Sequence, residues 1–159
     1  MSLKSQAKGA LDAIGLFTSG RQTLDVQQDR RRLTCELLGL DAIGCAFRRF
    51  ALATDELSSA STDRLKSISQ ALEKRLTYLL EPISPVELDA DGCVVQMRSS
   101  PPQKGDDGTT YYELLVHRGG ELSLCRYHKK PGGQREMIDA HLTREVFLRL
   151  VNDFSAVLD

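Results

Sequence analysis

The stretch ISPVELDADGCVVQMRSSPPQKGDDGTTYYELLVHRGGELSLCRYHKK, residues 83–130, carries two β-hairpin signatures in succession. In the first, Val86-Glu87-Leu88 runs into Asp89-Ala90-Asp91-Gly92 and Val94 to Arg98 runs out. Asp-Gly supplies the positive φ angles of a type I′ turn. With Asp91-Gly92 as the turn, Ala90 faces Cys93, Leu88 faces Val95 and Val86 faces Met97. Val86, Leu88, Val95 and Met97 then share one face, and Glu87, Gln96 and Arg98 the other. A slip of one residue would destroy this agreement.

The second hairpin is read with its turn at Gly119-Gly120, which sets Arg118 opposite Glu121 as a charge pair. In that register Tyr112, Leu114, Val116, Ser123, Cys125 and Tyr127 share one face. Tyr111, Glu113, Leu115, His117, Leu122, Leu124, Arg126 and His128 share the other. Neither face is cleanly polar, so cover is expected on both sides, from helices or from a partner.

Outward from the hairpins, two helices are announced. Ser61-Thr62-Asp63 offers capping oxygens and an N-terminal negative charge. Leu65, Ile68, Leu72, Leu76 and Leu79 then repeat at steps of three and four, predicting a helix over 62–80 that Pro82 and Pro85 end. Thr143 caps a second helix, 143–157, with Leu142 and Phe147 as a hydrophobic staple and Val146, Leu150, Phe154 and Val157 as its stripe. Gln134 to Ile138 reads as a short edge strand, and 99–110 as a long, mobile, polar loop rich in turn formers.

Upstream, Leu33, Cys35 and Leu37 alternate with Arg32, Thr34 and Glu36, which favours a strand. Val26, Leu33, Leu37 and Leu40 also fit a helix, with Arg30 on its stripe. Cys45 to Ala53 reads as a strand with Ala46, Phe50 and Leu52 on one side, marred by Arg48 on that side. Residues 1–24, with Ala10, Leu11, Ile14 and Phe17 at helical spacing between glycines, read as an arm. It is expected as a short docked helix or a disordered segment, suited to packing on a neighbouring subunit. Residues 25–159 form the single domain. The expected fold is α+β, an antiparallel meander of hairpins with both helices on its Leu88/Val95 face, in a β-α-β4-α-like core order.

Composition bounds the function loosely. Hydrophobic residues make up 41% and charged residues 27%, enough apolar material for a real core. A net charge of −1 favours neither nucleic acid nor an acidic partner. No apolar run approaches the ~20 residues of a membrane span, and the start lacks a signal-peptide layout, so a cytoplasmic location is expected. Cys35, Cys45, Cys93 and Cys125 are too dispersed for a zinc site and read as reduced thiols. Cys125 and His128, three apart on a strand, point to opposite faces, and no metal or other cofactor is implied.

The densest polar cluster in the expected register is Glu113 opposite Arg126, with Tyr111 opposite His128. It could do acid–base work or be a plain salt bridge on a sheet face, and the salt bridge is the simpler reading. Leu115, Leu122 and Leu124, hard to leave in water, form the candidate interface. Arg126, Lys129, Lys130 and Arg135 form a candidate basic patch near Tyr111, Tyr112 and Tyr127 that could clamp single-stranded nucleic acid. Acidic residues nevertheless outnumber basic ones by 22 to 21. The expectation is a non-enzymatic binding or adaptor module, a homo-oligomer (a dimer) through its sheet face. The rivals are nucleic-acid binding, and a small-ligand binder or enzyme built on Glu113, Arg126 and His128.

Overall fold

The alternation of Leu33, Cys35 and Leu37 builds a strand, the second of three. The computed structural model describes every residue except Ala90, Gly92 and Cys93. In it β1 (Gln22–Gln28), β2 (Arg31–Leu40) and β3 (Gly44–Thr54) form an antiparallel meander. Sequence reading missed β1, because only Leu24 and Val26 mark its inner side. In β3, Arg48 and Arg49 together oppose the single Glu36, a β-bulge. The extra residue returns Phe47 and Phe50 to the same side, both fully buried. Strict alternation had placed Arg48 beside Phe50; the bulge turns Arg48 out instead.

Helix α2 (Thr62–Arg75) begins as its cap dictates, the Ser61 hydroxyl accepting the Arg64 N–H at 3.1 Å. It stops at Arg75, short of the expected residue 80. Leu76 and Leu79 are still buried, so the apolar stripe continues through a segment that is no longer helical. That segment is held by tertiary bonds, such as the Tyr78 hydroxyl donating to Asp153 at 2.6 Å. β4 (Ile83–Asp89) and β5 (Val94–Ser99) follow as the first hairpin. Leu88 faces Val95 as expected, but Met97 pairs with Pro85 because the register shifts between Pro85 and Glu87. Val86 is left 54% exposed instead of facing Met97. Of the expected Asp91-Gly92 turn, with Ala90 facing Cys93, only Asp91 lies among the described residues.

The larger correction concerns β7 (Gly108–His117) and β8 (Glu121–Lys129). His117, not Arg118, pairs with Glu121, so the turn is the three residues Arg118-Gly119-Gly120 and the whole register moves by one. Leu114 faces Leu124 and Val116 faces Leu122. Every side chain of β8 thereby changes face relative to β7. Tyr112, Leu114, Val116, Leu122 and Leu124 gather on one side, all 0% exposed, in the core. The other side carries Tyr111, Glu113, Leu115, Ser123, Cys125 and Tyr127. Between the hairpins, β6 (Gln103–Gly105) turns back to pair with β7, so the stretch expected to be a mobile loop contains a strand.

β9 (Arg135–Ile138), β10 (Ala140–Thr143) and α3 (Arg144–Ala156) complete the chain. Among the described residues ten antiparallel strands form one sheet, seven of them in the order β1-β2-β3-β8-β7-β5-β4, with β6, β9 and β10 pairing off that path. β3 pairs with β10 through its first half and with β8 through its second, while β8 ends against β9. The bulge residue Arg48 sits at this fork, donating to Asp139 at 2.8 Å and to the Met137 carbonyl at 3.2 Å. α1 (Leu3–Ile14) packs on β1 and α3, α2 on β4, β5 and β7, and α3 on β3 and β10. All three helices cover the same face, where Phe47, Phe50, Phe147 and Phe154 meet mostly edge to face. In α1, Leu3, Ala7 and Leu11 are buried in this common core. Of the apolar residues read in the arm, Leu11 is buried, while Ala10, Ile14 and Phe17 pack half-buried against this core.

The cap of α3 makes a first prediction. The Thr143 hydroxyl accepts the Val146 N–H at 3.1 Å. Thr143→Ala should cost about 1 kcal/mol, which calorimetry should register as a Tm lower by roughly 2–4 °C for a chain of this size.

Candidate functional site

The corrected register separates the residues that sequence reading had grouped. Tyr111 and Glu113 stand on the face without helices, while Arg126 and His128 project to the other side of the same ladder. Glu113 faces Cys125 and Arg126 faces Tyr112; Tyr111 faces Tyr127 and His128 faces Thr110. The proposed Glu113–Arg126 and Tyr111–His128 pairs therefore do not form.

Arg126 belongs to a buried network on the helix-covered side of the sheet. Its guanidinium lies 4.5 Å over the Tyr112 ring, donates to the Thr110 hydroxyl at 3.1 Å and pairs with Glu81 at 3.4 Å. The side chains of the pair are 8% and 2% exposed. Glu81 also accepts from the Ser99 hydroxyl at 2.7 Å, and that hydroxyl accepts the Tyr112 N–H at 2.7 Å. His128 sits at the ladder's end, its Nε2 3.6 Å from Asp107.

Glu113 anchors a separate constellation on the open face. Arg135, from β9, grips its carboxylate with two N–H donors at 2.5 and 3.2 Å. Gln96 adds a third donor at 2.8 Å, and Arg98 stands 3.6 Å away. The two arginines also stack on aromatic rings, Arg98 over Tyr111 at 4.7 Å and Arg135 over Tyr127 at 4.0 Å. The rings themselves lie 6.1 Å apart at 31°. The result is a four-membered stack, Arg98–Tyr111–Tyr127–Arg135, running across β5, β7, β8 and β9. Cation–π contacts of this kind contribute about 0.5–1 kcal/mol each when exposed and more when desolvated.

Electrostatics holds the titratable groups of this face in their resting charge states. Burial by itself raises the Glu113 pKa, but the hydrogen bonds from Arg135 and Gln96 and the charges of Arg135 and Arg98 outweigh it, so the carboxyl titrates below its ordinary value. Its oxygens are occupied by donors, which leaves little for a substrate proton. Burial also pushes the Cys125 thiol up, against the pull of Arg49 and a hydrogen bond with Tyr127. Cys45 is raised to about 12, mainly by burial. Thiols shifted this way are poor nucleophiles near neutral pH. Among the described residues no group of three or more His, Cys, Asp or Glu is placed to hold a metal.

The lowered Glu113 pKa gives a second prediction. A carboxyl depressed in the folded state contributes stability that is present above its unfolded pKa and lost as pH falls through the folded value. The wild-type urea midpoint should therefore fall on acidification more steeply than that of Glu113→Gln. Parallel midpoint curves for the two proteins would contradict the assignment.

The remaining sequence expectations divide in the same way. Leu122 and Leu124 are core residues, and only Leu115 of the expected interface lies on the open face, partly exposed. Of the basic patch, Arg126 is tied to Glu81 and Arg135 to Glu113, which leaves Lys129 and Lys130 exposed. The run Arg30-Arg31-Arg32 is likewise engaged, with Asp55, Glu56 and Asp25. Sequence reading missed Gln96 and Arg98 as partners of Glu113, although it had placed both on one face of their strand. It missed Glu81 altogether, since nothing local marks a lone glutamate in an irregular segment as buried. Comparison with protein-family models, with curated proteins and with solved structures gave no match.

Proposed function

We propose that this chain is a non-enzymatic binding module that takes a folded protein partner on the open face of its sheet. The observation that carries this reading is the Arg98–Tyr111–Tyr127–Arg135 stack, standing on the face of the sheet opposite the core that the three helices cover among the described residues. Arginine and tyrosine supply a disproportionate share of interface binding energy. Side chains already held in place by stacking and by Glu113 lose less freedom when a partner arrives. The Glu113, Arg126 and His128 of the enzyme reading point to two different faces, and most of the expected apolar interface is core. The surface on offer is therefore the part-exposed Arg98, Arg135, Tyr127 and Leu115, laid over a buried Tyr111 and Glu113, and suits a partner with exposed carboxylates.

The test compares affinity capture by the wild-type chain and by an Arg98→Ala, Tyr127→Ala variant of equal thermal stability. A protein held by the first and lost from the second supports the proposal. A partner retained equally by both would move the binding site off this face. Retention of single-stranded DNA at low salt, lost with Lys129→Ala and Lys130→Ala, would favour nucleic-acid binding instead.

A further inference from the structure

The two ends of the sheet are built differently. At one end β4 carries Pro85, which has no N–H to offer, and a register shift beside it, features that discourage pairing by another strand. At the other end β1 pairs with β2 over seven residues without a shift. It contains no proline, lysine or arginine, and Thr23, Asp25 and Gln27 are exposed. Its one charge, Asp25, is matched within the chain by Arg32. Among the described residues no strand pairs with the outer edge of β1. An edge of this kind presents alternate N–H and C=O groups ready for another strand.

We propose that β1 is a homodimer edge, joining two copies of this chain by antiparallel β1–β1 pairing about a two-fold axis into one continuous sheet. The occupant is a second copy because the strand is complementary to itself. Pairings that keep Leu24 and Val26 on the helix-covered side of both copies set Asp25 opposite Thr23, Asp25 or Gln27 of the partner. Like charges directly opposite are unfavourable, which leaves Thr23 or Gln27, both able to hydrogen-bond a carboxylate. Neighbouring α1 helices would then approach over the junction. A two-fold contact of this type closes, so it yields a dimer rather than a fibre. This dimer is independent of the open-face binding proposed above.

Sedimentation equilibrium on the full chain tests it, with circular dichroism confirming equal folding of two variants at exposed positions. Thr23→Asp with Gln27→Asp places acids opposite Asp25 in either allowed register and should weaken the dimer by roughly tenfold or more. Thr23→Lys with Gln27→Lys places opposite charges there and should leave the dimer intact or tighter. A wild-type mass that stays monomeric at all concentrations overturns the proposal. So does a dimer that neither variant alters, or that both variants dissolve.

Discussion

Gly120→Ala should melt well below the wild type, while Gly119→Ala beside it should melt with the wild type. Gly120 has φ +107°, a conformation costly for any residue with a Cβ. A Cβ built there would lie 2.1 Å from the Thr54 carbonyl oxygen, so the backbone itself must move. Gly120 also accepts the Thr54 N–H at 2.6 Å, a bond that ties the turn to the end of β3. Backbone strain alone costs about 1–3 kcal/mol, and loss of this closure adds to it. A Cβ at Gly119 meets nothing within 4 Å. Calorimetry of the two variants reads the contrast, and equal Tm losses would mean the turn is not the one described.

Arg126→Met should be more damaging still. Arg126 and Glu81 form an ion pair shielded from water, and removing one partner strands the other as a buried charge. Breaking such a pair typically costs 3–5 kcal/mol, a large fraction of a total stability of about 5–15 kcal/mol. The double variant Glu81→Gln, Arg126→Met removes both charges and should recover much of the loss, because the stranded charge is what hurts. Denaturant midpoints for the single and double variants measure this. A double variant as weak as Arg126→Met alone would mean that the stacking of Arg126 on Tyr112, not the charge pair, holds this part of the core together.

The parts of the fold that sequence reading recovered are those governed by local rules. Both helices were visible because Ser61 and Thr143 cap apolar stripes of helical period. β8 was misregistered because Gly119-Gly120 permits either a two-residue or a three-residue turn, and the two differ by one step. The choice could have been made on face consistency. Only the three-residue turn puts Tyr112, Leu114, Val116, Leu122 and Leu124 together, and the two-residue reading left apolar residues on both sides. The same slip created the Glu113–Arg126 site and the leucine interface, so both functional readings inherited one error. The β3 bulge was hinted at by Phe47 and Phe50, three apart and both in need of cover. Glu81 and Arg135 had no such signal, because their partners come from distant strands and only the assembled sheet brings them together.

Cross-strand proton contacts observed by NMR in the full chain test most directly which residues of β7 and β8 face each other. Contacts of Leu115 with Ser123 and of Glu113 with Cys125 are the expected result. They would place Leu122 and Leu124 under the helices and the Arg98–Tyr111–Tyr127–Arg135 stack on the open face. Contacts of Glu113 with Arg126 and of Leu115 with Leu124 would contradict it, returning the leucines to the open face and dissolving the site.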